Sequence, residues 1–329
     1  MAPSRILLLV LAFAFAFAVA GCGSGSSGSA PSQPLVFTVS DNGWGEIWLM
    51  DESGKARKQL TGARPQGSDA SGNASPVWSP DRKRIVYMGT GDAVIEDPTL
   101  QEIYVMDGDG GHVEQLTKNT APDFSPAWSP DGKQIVFSRA SGLGTGNSSA
   151  SLYVMGSDGS DQKELYRAKG GGVLLLTPDW SPDGKQIAFT QVTYPTGTPK
   201  AAVYVMSRNG TGTKLIARDA AEPAWSPDGE SIAYSTSRDK NGQTCFEECQ
   251  PSDEIYVASS DGSSPRRLTN EKGEDVSPTW SPDGTQIAFV SDVSDPGDHS
   301  NEIYVVDTTG GQPKRITANS VWDLEPDWK

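Results

Sequence analysis

Among its 329 residues the chain has only two histidines, His112 and His299, and only three cysteines, Cys22, Cys245 and Cys249. That scarcity leaves little material for acid–base or metal chemistry. Neither histidine stands in a motif with a serine or cysteine nucleophile. There is no Gly-x-Ser-x-Gly elbow, no Gly-x-x-x-x-Gly-Lys-Ser/Thr loop and no His-Glu-x-x-His. Gly142-x-Gly144-x-Gly146 lies between two apolar runs with no helix after it, so it reads as a loop and not a phosphate cradle. Asp107 and Asp109 hint at a calcium loop, but Gly111 occupies the next ligand position and a hairpin turn explains them better. Basic residues are also few: 27 Lys and Arg stand against 42 Asp and Glu, a net charge of −15. That balance argues against nucleic acid or anionic headgroups as partners, and for solubility or a basic partner surface. No stretch after the first twenty residues sustains a helical period. No apolar run reaches the roughly twenty residues that a membrane span needs.

The longest such run, Ile6 to Ala20, follows Arg5 and ends in Val19-Ala20-Gly21-Cys22. A short positive segment, an apolar stretch and small residues before a cleavage point describe a secretory signal. A cysteine directly after Val-Ala-Gly resembles the bacterial lipobox, which implies cleavage before Cys22 and lipid attachment to it. Residues 1–21 are thus expected to be a signal peptide, and 22–34, rich in Ser and Gly, a flexible tether.

What is abundant is a repeat. Pro-x-Trp-Ser-Pro-Asp-Gly-x-x-Ile-x-Phe, seen best from Pro126 to Phe137, recurs around Trp78, Trp128, Trp180, Trp225 and Trp280, with a last fragment at Trp328. The intervals are 50, 52, 45, 55 and 48 residues, which suit a four-stranded propeller blade. From each internal tryptophan to the next apolar run (Ile85, Ile135, Ile187, Ile232, Ile287) is always seven residues. Ser-Pro-Asp-Gly between them reads as a tight hairpin. Arg82 replaces the glycine in the first copy, where a strained or differently shaped turn is expected.

A second run, such as Ile103-Tyr104-Val105-Met106, has a glycine six residues after its aromatic in every copy, from Gly54 to Gly310. That is a second hairpin signal. The following strand ends in Leu-Thr or a relative, as at Leu116-Thr117. Each repeat therefore carries four strands: A (Trp), B (Ile-x-Phe), C (Ile-Tyr-Val) and D (Leu-Thr). The C strands are nearly continuous apolar runs, which requires cover on both sheet faces. A ring of blades provides that cover and a sandwich does not. The fold expected is all-β, a six-bladed propeller over residues 35–329. The chain enters at a B strand, Leu35–Ser40, and leaves on an A strand, Asp323–Trp328, so these two should pair and close the ring.

The Pro-x-Trp-Ser-Pro-Asp-Gly-Lys-x-Ile-Ala-Phe and Ile-Tyr-Val-Met-Asp-x-Asp-Gly signatures resemble the C-terminal propeller of TolB-like proteins, over about Leu35 to Trp328. The resemblance implies a six-bladed propeller in a bacterial envelope, in a family known for protein partners. TolB itself carries an α/β domain ahead of its propeller, where this chain has only the tether.

Candidate site residues follow from blade geometry. Neighbouring strands run antiparallel, so A–B and C–D turns share one face, while B–C and D–A loops share the other. The first set is nearly constant. In the second, tryptophan to the next C strand varies from 23 to 30 residues and D-strand Leu to the next tryptophan from 10 to 18. Function tends to sit on loops held by a rigid scaffold. The expected partner face therefore includes Glu96, Asp97, Asp295, Asp298 and His299. Asn73, Asp123, Asp219, Asp275 and Asp323 stand at the starts of A strands and could ring the channel mouth, toward a cation or a partner's basic side chain. Alternatively each bonds local backbone. Cys245 and Cys249 are expected to form a disulfide closing a very small loop; free or metal-bound thiols are the alternative, with too few neighbouring ligands for metal.

The function expected is that of a non-enzymatic, monomeric envelope lipoprotein without a cofactor, held to a membrane on its non-cytoplasmic side by lipid alone. Its partner would be an envelope protein or a peptidoglycan-associated component, not nucleic acid. A propeller hydrolase or lyase, or a sugar- or small-ligand-sensing module, is the alternative on the same scaffold. If Cys22 is lipidated, Cys22→Ala should move the protein from the detergent to the aqueous phase on partitioning. A wild-type chain that already partitions into water would contradict the anchor.

Overall fold

A computed structural model describes residues 34–41, 44–62, 72–90, 101–142, 149–169, 172–194, 199–239, 243–244, 250–270, 273–293 and 300–328. These residues form six four-stranded antiparallel sheets with the A-B-C-D order that the repeats predict. In blade 2 the strands are Asn73–Trp78, Arg84–Gly89, Glu102–Asp107 and Glu114–Gln115. Blades 3 to 6 begin their A strands at Asp123, Leu174, Ala220 and Asp275. Blade 1 is composite: Trp322–Asp327 pairs antiparallel with Leu35–Asp41, followed by Trp44–Met50 and Lys58–Gln59. Each blade packs on the next, and blade 6 packs on the C-terminal strand of blade 1, so the ring is closed. A small extra hairpin, Gln243–Thr244 with Gln250–Pro251, lies in the B–C link of blade 5.

The regular tryptophans mark the seams. Trp128 packs in one cluster with Val86, Ile103 and Val105 of the preceding blade and with Ile135 and Phe137 of its own. Trp180, Trp225 and Trp280 do the same one seam further on. Trp328 joins blade 6, through Ala288 and Val305, to Leu35, Phe37 and Met50 of blade 1. Trp78 fills the seam between blades 1 and 2, and all six side chains are buried. B- and C-strand aromatics lie directly opposite each other, as Tyr87 does Tyr104 and Phe189 does Tyr204, with ring centroids 5.7 and 5.9 Å apart. This arrangement covers both faces of the C strands, as their unbroken apolar runs require.

The turn motif is a small hydrogen-bonded machine. In Ser129-Pro-Asp-Gly, Ser129 Oγ donates to Asp131 Oδ1 (2.7 Å) and accepts the Gln134 amide (2.9 Å), while Asp131 accepts the Lys133 amide. The same set recurs at Ser79, Ser181, Ser226 and Ser281. Gly132 sits at φ 67° and Arg82 at φ 56°. The amides of Arg82 and Gly132 both donate at 2.8 Å, to Ser79 and Ser129. The turn at Arg82 is therefore strained but not reshaped, because the Ser/Asp clamp overrides the residue's own preference.

Leu-Thr proves to be a connector as much as a strand end. Regular pairing of the D strand stops at Gln115, and Thr117 Oγ1 then accepts the Ile103 amide (2.9 Å) and donates to buried Glu102 (2.5 Å). Thr269 and Thr317 repeat this with Ile255/Glu254 and Ile303/Glu302. Glutamate before Ile-Tyr-Val and threonine after Leu are thus one device, a buried acid satisfied by donors from the outermost strand.

Deleting residues 322–329 should expose the Leu35–Asp41 edge and remove Trp328. Loss of one buried aromatic costs about 3–5 kcal/mol, a large share of a domain's net stability. The truncated chain should lose its cooperative melting transition or melt far below the full chain; equal melting temperatures would contradict closure by this strand.

Candidate functional site: the axial channel

Every A strand is broken by the same bulge. In blade 2, Ala74 pairs with Met88 and Val77 with Val86, so Ser75 and Pro76 together face Tyr87 alone. The other five registers skip at the same place, opposite Phe37, Phe137, Phe189, Tyr234 and Phe289. Proline has no N–H for the ladder, so a mid-strand proline belongs at a bulge. The residue before it takes a left-handed conformation in all six blades: Ser75, Ser125, Thr177, Glu222, Ser277 and Glu325 have φ between 45° and 55°. Six strained residues at one level are kept in place by the surrounding sheet.

These residues and the prolines that follow them line a cavity of about 500 Å³ along the propeller axis. Its wall continues through Val77, Ala127 and Ala224 to the turn prolines Pro80, Pro130, Pro182, Pro227 and Pro282. It is largely apolar, with polar groups at the left-handed ring and at Arg82, Asp179, Thr279 and Asp327 further along the wall. At the ring, three serines and a threonine accompany two glutamates. Glu222 Oε2 accepts the Ser277 amide of the next blade (2.7 Å) and the Ser235 hydroxyl (3.3 Å). Glu325 Oε2 accepts the Ser75 amide (2.7 Å) and Thr38 Oγ1 (3.0 Å), and its Oε1 accepts Ser75 Oγ (3.0 Å). Each glutamate thus ties its blade to the next across a seam. One residue before the tryptophan, Asp327 and Asp179 make a similar link, accepting the Trp78 and Trp225 amides at 2.8 Å. Burial pushes the carboxyls of Glu222 and Glu325 above the usual range, and for Glu222 the charge of Glu325 adds to this.

The aspartates at the A-strand starts are placed otherwise, and none is among the residues lining the channel. Asp123 is fully buried and grips Arg139 through both oxygens (2.6 and 2.7 Å), with Asn119 as a further donor. Asp323 is equally buried, on Arg57 (2.8 Å) and Asn319 (2.7 Å). Asp275 is buried near Glu254, whose carboxyl is pushed up to about 7, first by burial and also by the Asp275 charge. Asn73 is half-buried on its strand. Exposed Asp219 has φ 51°, and its carbonyl accepts Thr236 Oγ1 (2.6 Å). His112 is exposed on a C–D turn and bonds Asp107 (2.5 Å). Cys22, Glu96, Asp97, Cys245, Cys249, Asp295, Asp298 and His299 lie outside the described residues. Among the described residues no group of three His, Cys, Asp or Glu could hold a metal ion.

With this architecture in view, the profile of the TolB beta propeller domain matches residues 139–329, and the chain belongs to that family. The Tol-Pal system protein TolB of Bordetella pertussis is 30% identical over 144 residues, which cover 44% of this chain and 30% of that protein. The chain spans about three tenths of the length of the curated relatives it matches. TolB from Acinetobacter baumannii superposes with a TM-score of 0.67 at 19% identity, over 90% of this chain and 66% of that one. Kuenenia stuttgartiensis hydrazine synthase gives 0.66 at 15%, over 91% and 46%. At such identities these structures speak for the fold alone.

The two channel glutamates carry a pH signature. A carboxyl whose pKa is raised on folding stabilises the fold fully below its unfolded value, here 4.5, and that contribution is lost as pH rises through the folded value. Glu222→Gln/Glu325→Gln keeps an oxygen for each seam amide and removes the titration. The wild type should therefore lose melting temperature relative to the double variant as pH is raised from about 4.5 to 8. Parallel curves would show that the pair does not titrate inside the channel.

Proposed function

We propose that this chain is an exported, lipid-anchored, non-enzymatic envelope protein. In this reading its propeller captures a protein or peptidoglycan-associated partner at the end of the ring that bears the B–C and D–A connections. The observation that carries the reading is the contrast between the two ends. At one end, every A–B turn is closed by the same Ser/Asp clamp. Its C–D turns are also held by side chains, as Asp109 holds the Gly111 amide and Asp158 the Ser160 amide. At the other end the connections differ in length from blade to blade, and the A strands enter the channel there, two or three residues before the glutamate-bearing ring. A rigid frame with variable loops on one side suits selective binding, and membership of the TolB propeller family supports an envelope-associated, protein-binding role.

The two half-buried channel glutamates are the observation that favours an enzyme as a second reading, since raised carboxyl pKa values are what acid catalysts use. Their hydrogen bonds to the next blade's amides give them a structural role that the enzyme reading does not need.

Reversing the charge of Glu96, Asp97, Asp295 and Asp298 together should weaken partner capture, read by crosslinking and affinity purification from intact envelopes, without lowering the melting temperature. Equal loss on reversing Asp109 and Asp158 on the opposite turns would remove the case for a one-sided surface.

A further inference from the structure

The channel wall is built from two tiers of proline with Val77, Ala127, Asp179, Ala224, Thr279 and Asp327 between them; Asp179 and Asp327 are held on the Trp225 and Trp78 amides, and the acidic groups at the left-handed ring are Glu222 and Glu325. In ring order Glu222 belongs to blade 5 and Glu325 to blade 1, so one blade, that of Ser277, separates them. Both line the same cavity, and the Glu325 charge adds to burial in raising the Glu222 carboxyl. A largely apolar tube that carries two carboxylates at one level is complementary to a slender aliphatic stem ending in a positive charge. We propose that the channel receives a lysine side chain of a protein partner, its methylenes against the prolines and its ammonium between Glu222 and Glu325.

The donor set separates this occupant from others. A divalent cation such as calcium takes six to eight oxygens, and among the described residues no group of three His, Cys, Asp or Glu is placed to hold one. Arginine prefers to bond one carboxylate through two parallel N–H groups. Both glutamates already hold a backbone amide on Oε2, from Ser277 and Ser75 at 2.7 Å, so a guanidinium fork would have to share that oxygen with the seam amide. An ammonium is a compact point charge with three donors that can be shared between separate carboxylates and the neighbouring serine hydroxyls. A cavity of about 500 Å³ falls within the range that holds small ligands. The ring also lies toward the end of the propeller where partner capture is proposed, so a side chain projecting from a docked partner would reach it.

This inference rests on the proposed binding function but is tested without the partner. The full chain is titrated with n-hexylammonium at neutral pH, with 1-hexanol as the uncharged homologue, and binding is read by ligand-observed NMR and calorimetry. Hexylammonium should bind at least tenfold more tightly than hexanol, and Glu222→Gln/Glu325→Gln should remove that difference. n-Butylguanidinium should bind more weakly than hexylammonium. Hexanol binding as tightly as the ammonium, or no ammonium binding at all, overturns the proposal; so does ammonium binding that survives in the double variant. If that variant does not fold, the comparison of the ammonium with the alcohol on the wild-type chain still decides. Partner capture that depends on the loop carboxylates, alongside a channel that ignores hexylammonium, would sink this inference and leave the binding function standing.

Discussion

The structure depends on a bulge repeated six times. Each A strand must end with its tryptophan wedged into the seam before its own blade and start at the rim of a narrow axial channel. A regular strand cannot place a proline in its ladder, because the missing N–H leaves a partner carbonyl without its bond. The bulge resolves this by setting two residues, the left-handed one and the proline, against a single B-strand aromatic. Its consequences spread in both directions. Outward, the aromatic opposite the bulge meets its C-strand counterpart and seals the blade. Inward, the left-handed residue turns toward the channel, and in two blades it is a glutamate that reaches the next blade's amide. At two of the six positions the strained residue is thereby tied to the next blade, which helps hold the ring as a ring.

Much of this was legible in the sequence, for identifiable reasons. The tryptophan interval, the fixed seven residues to the B-strand isoleucine and the glycine six after each C-strand aromatic are short-range rules. Hairpins obey such rules whatever surrounds them. Closure was legible because Leu35 begins without an A strand and Trp328 ends without a B strand, and only pairing satisfies both. The channel residues were not read, although their signal was present: Ser75-Pro76, Glu222-Pro223 and Glu325-Pro326 each put a proline inside a strand, which by itself marks a bulge. The candidates with the more regular spacing, Asn73 and the four aspartates, stand two or three residues earlier. Their partners show why spacing alone misled. Arg139 comes from the adjacent B strand and Arg57 from just before the D strand of blade 1, and neither position belongs to the repeat.

The same comparison explains how acidic residues coexist with a compact ring. Seven buried or half-buried acids show three arrangements. Glu102, Glu254 and Glu302 are satisfied by threonines of the D strand, with arginine added at Glu254 and Glu302. Asp123 and Asp323 are paired with arginine. Glu222 and Glu325 have only amide and hydroxyl donors, and they alone among these face the channel. Carboxylates with a full set of partners are structural elements. Carboxylates with a partial set, opening onto a cavity, are where a ligand's charge would be welcome. This contrast, more than the overall negative charge, is what singles out the channel.

The central claim is that the bulged A strands lock the ring through the seam amides, and native-state hydrogen exchange of the full chain reads those amides directly. The account predicts that the Ser75 and Ser277 amides, held by Glu325 and Glu222, exchange as slowly as those of Ile103 and Ile303 in the C strands, only through global unfolding. Exchange of Ser75 and Ser277 at the rate of exposed turn amides, with the C strands still protected, would contradict it.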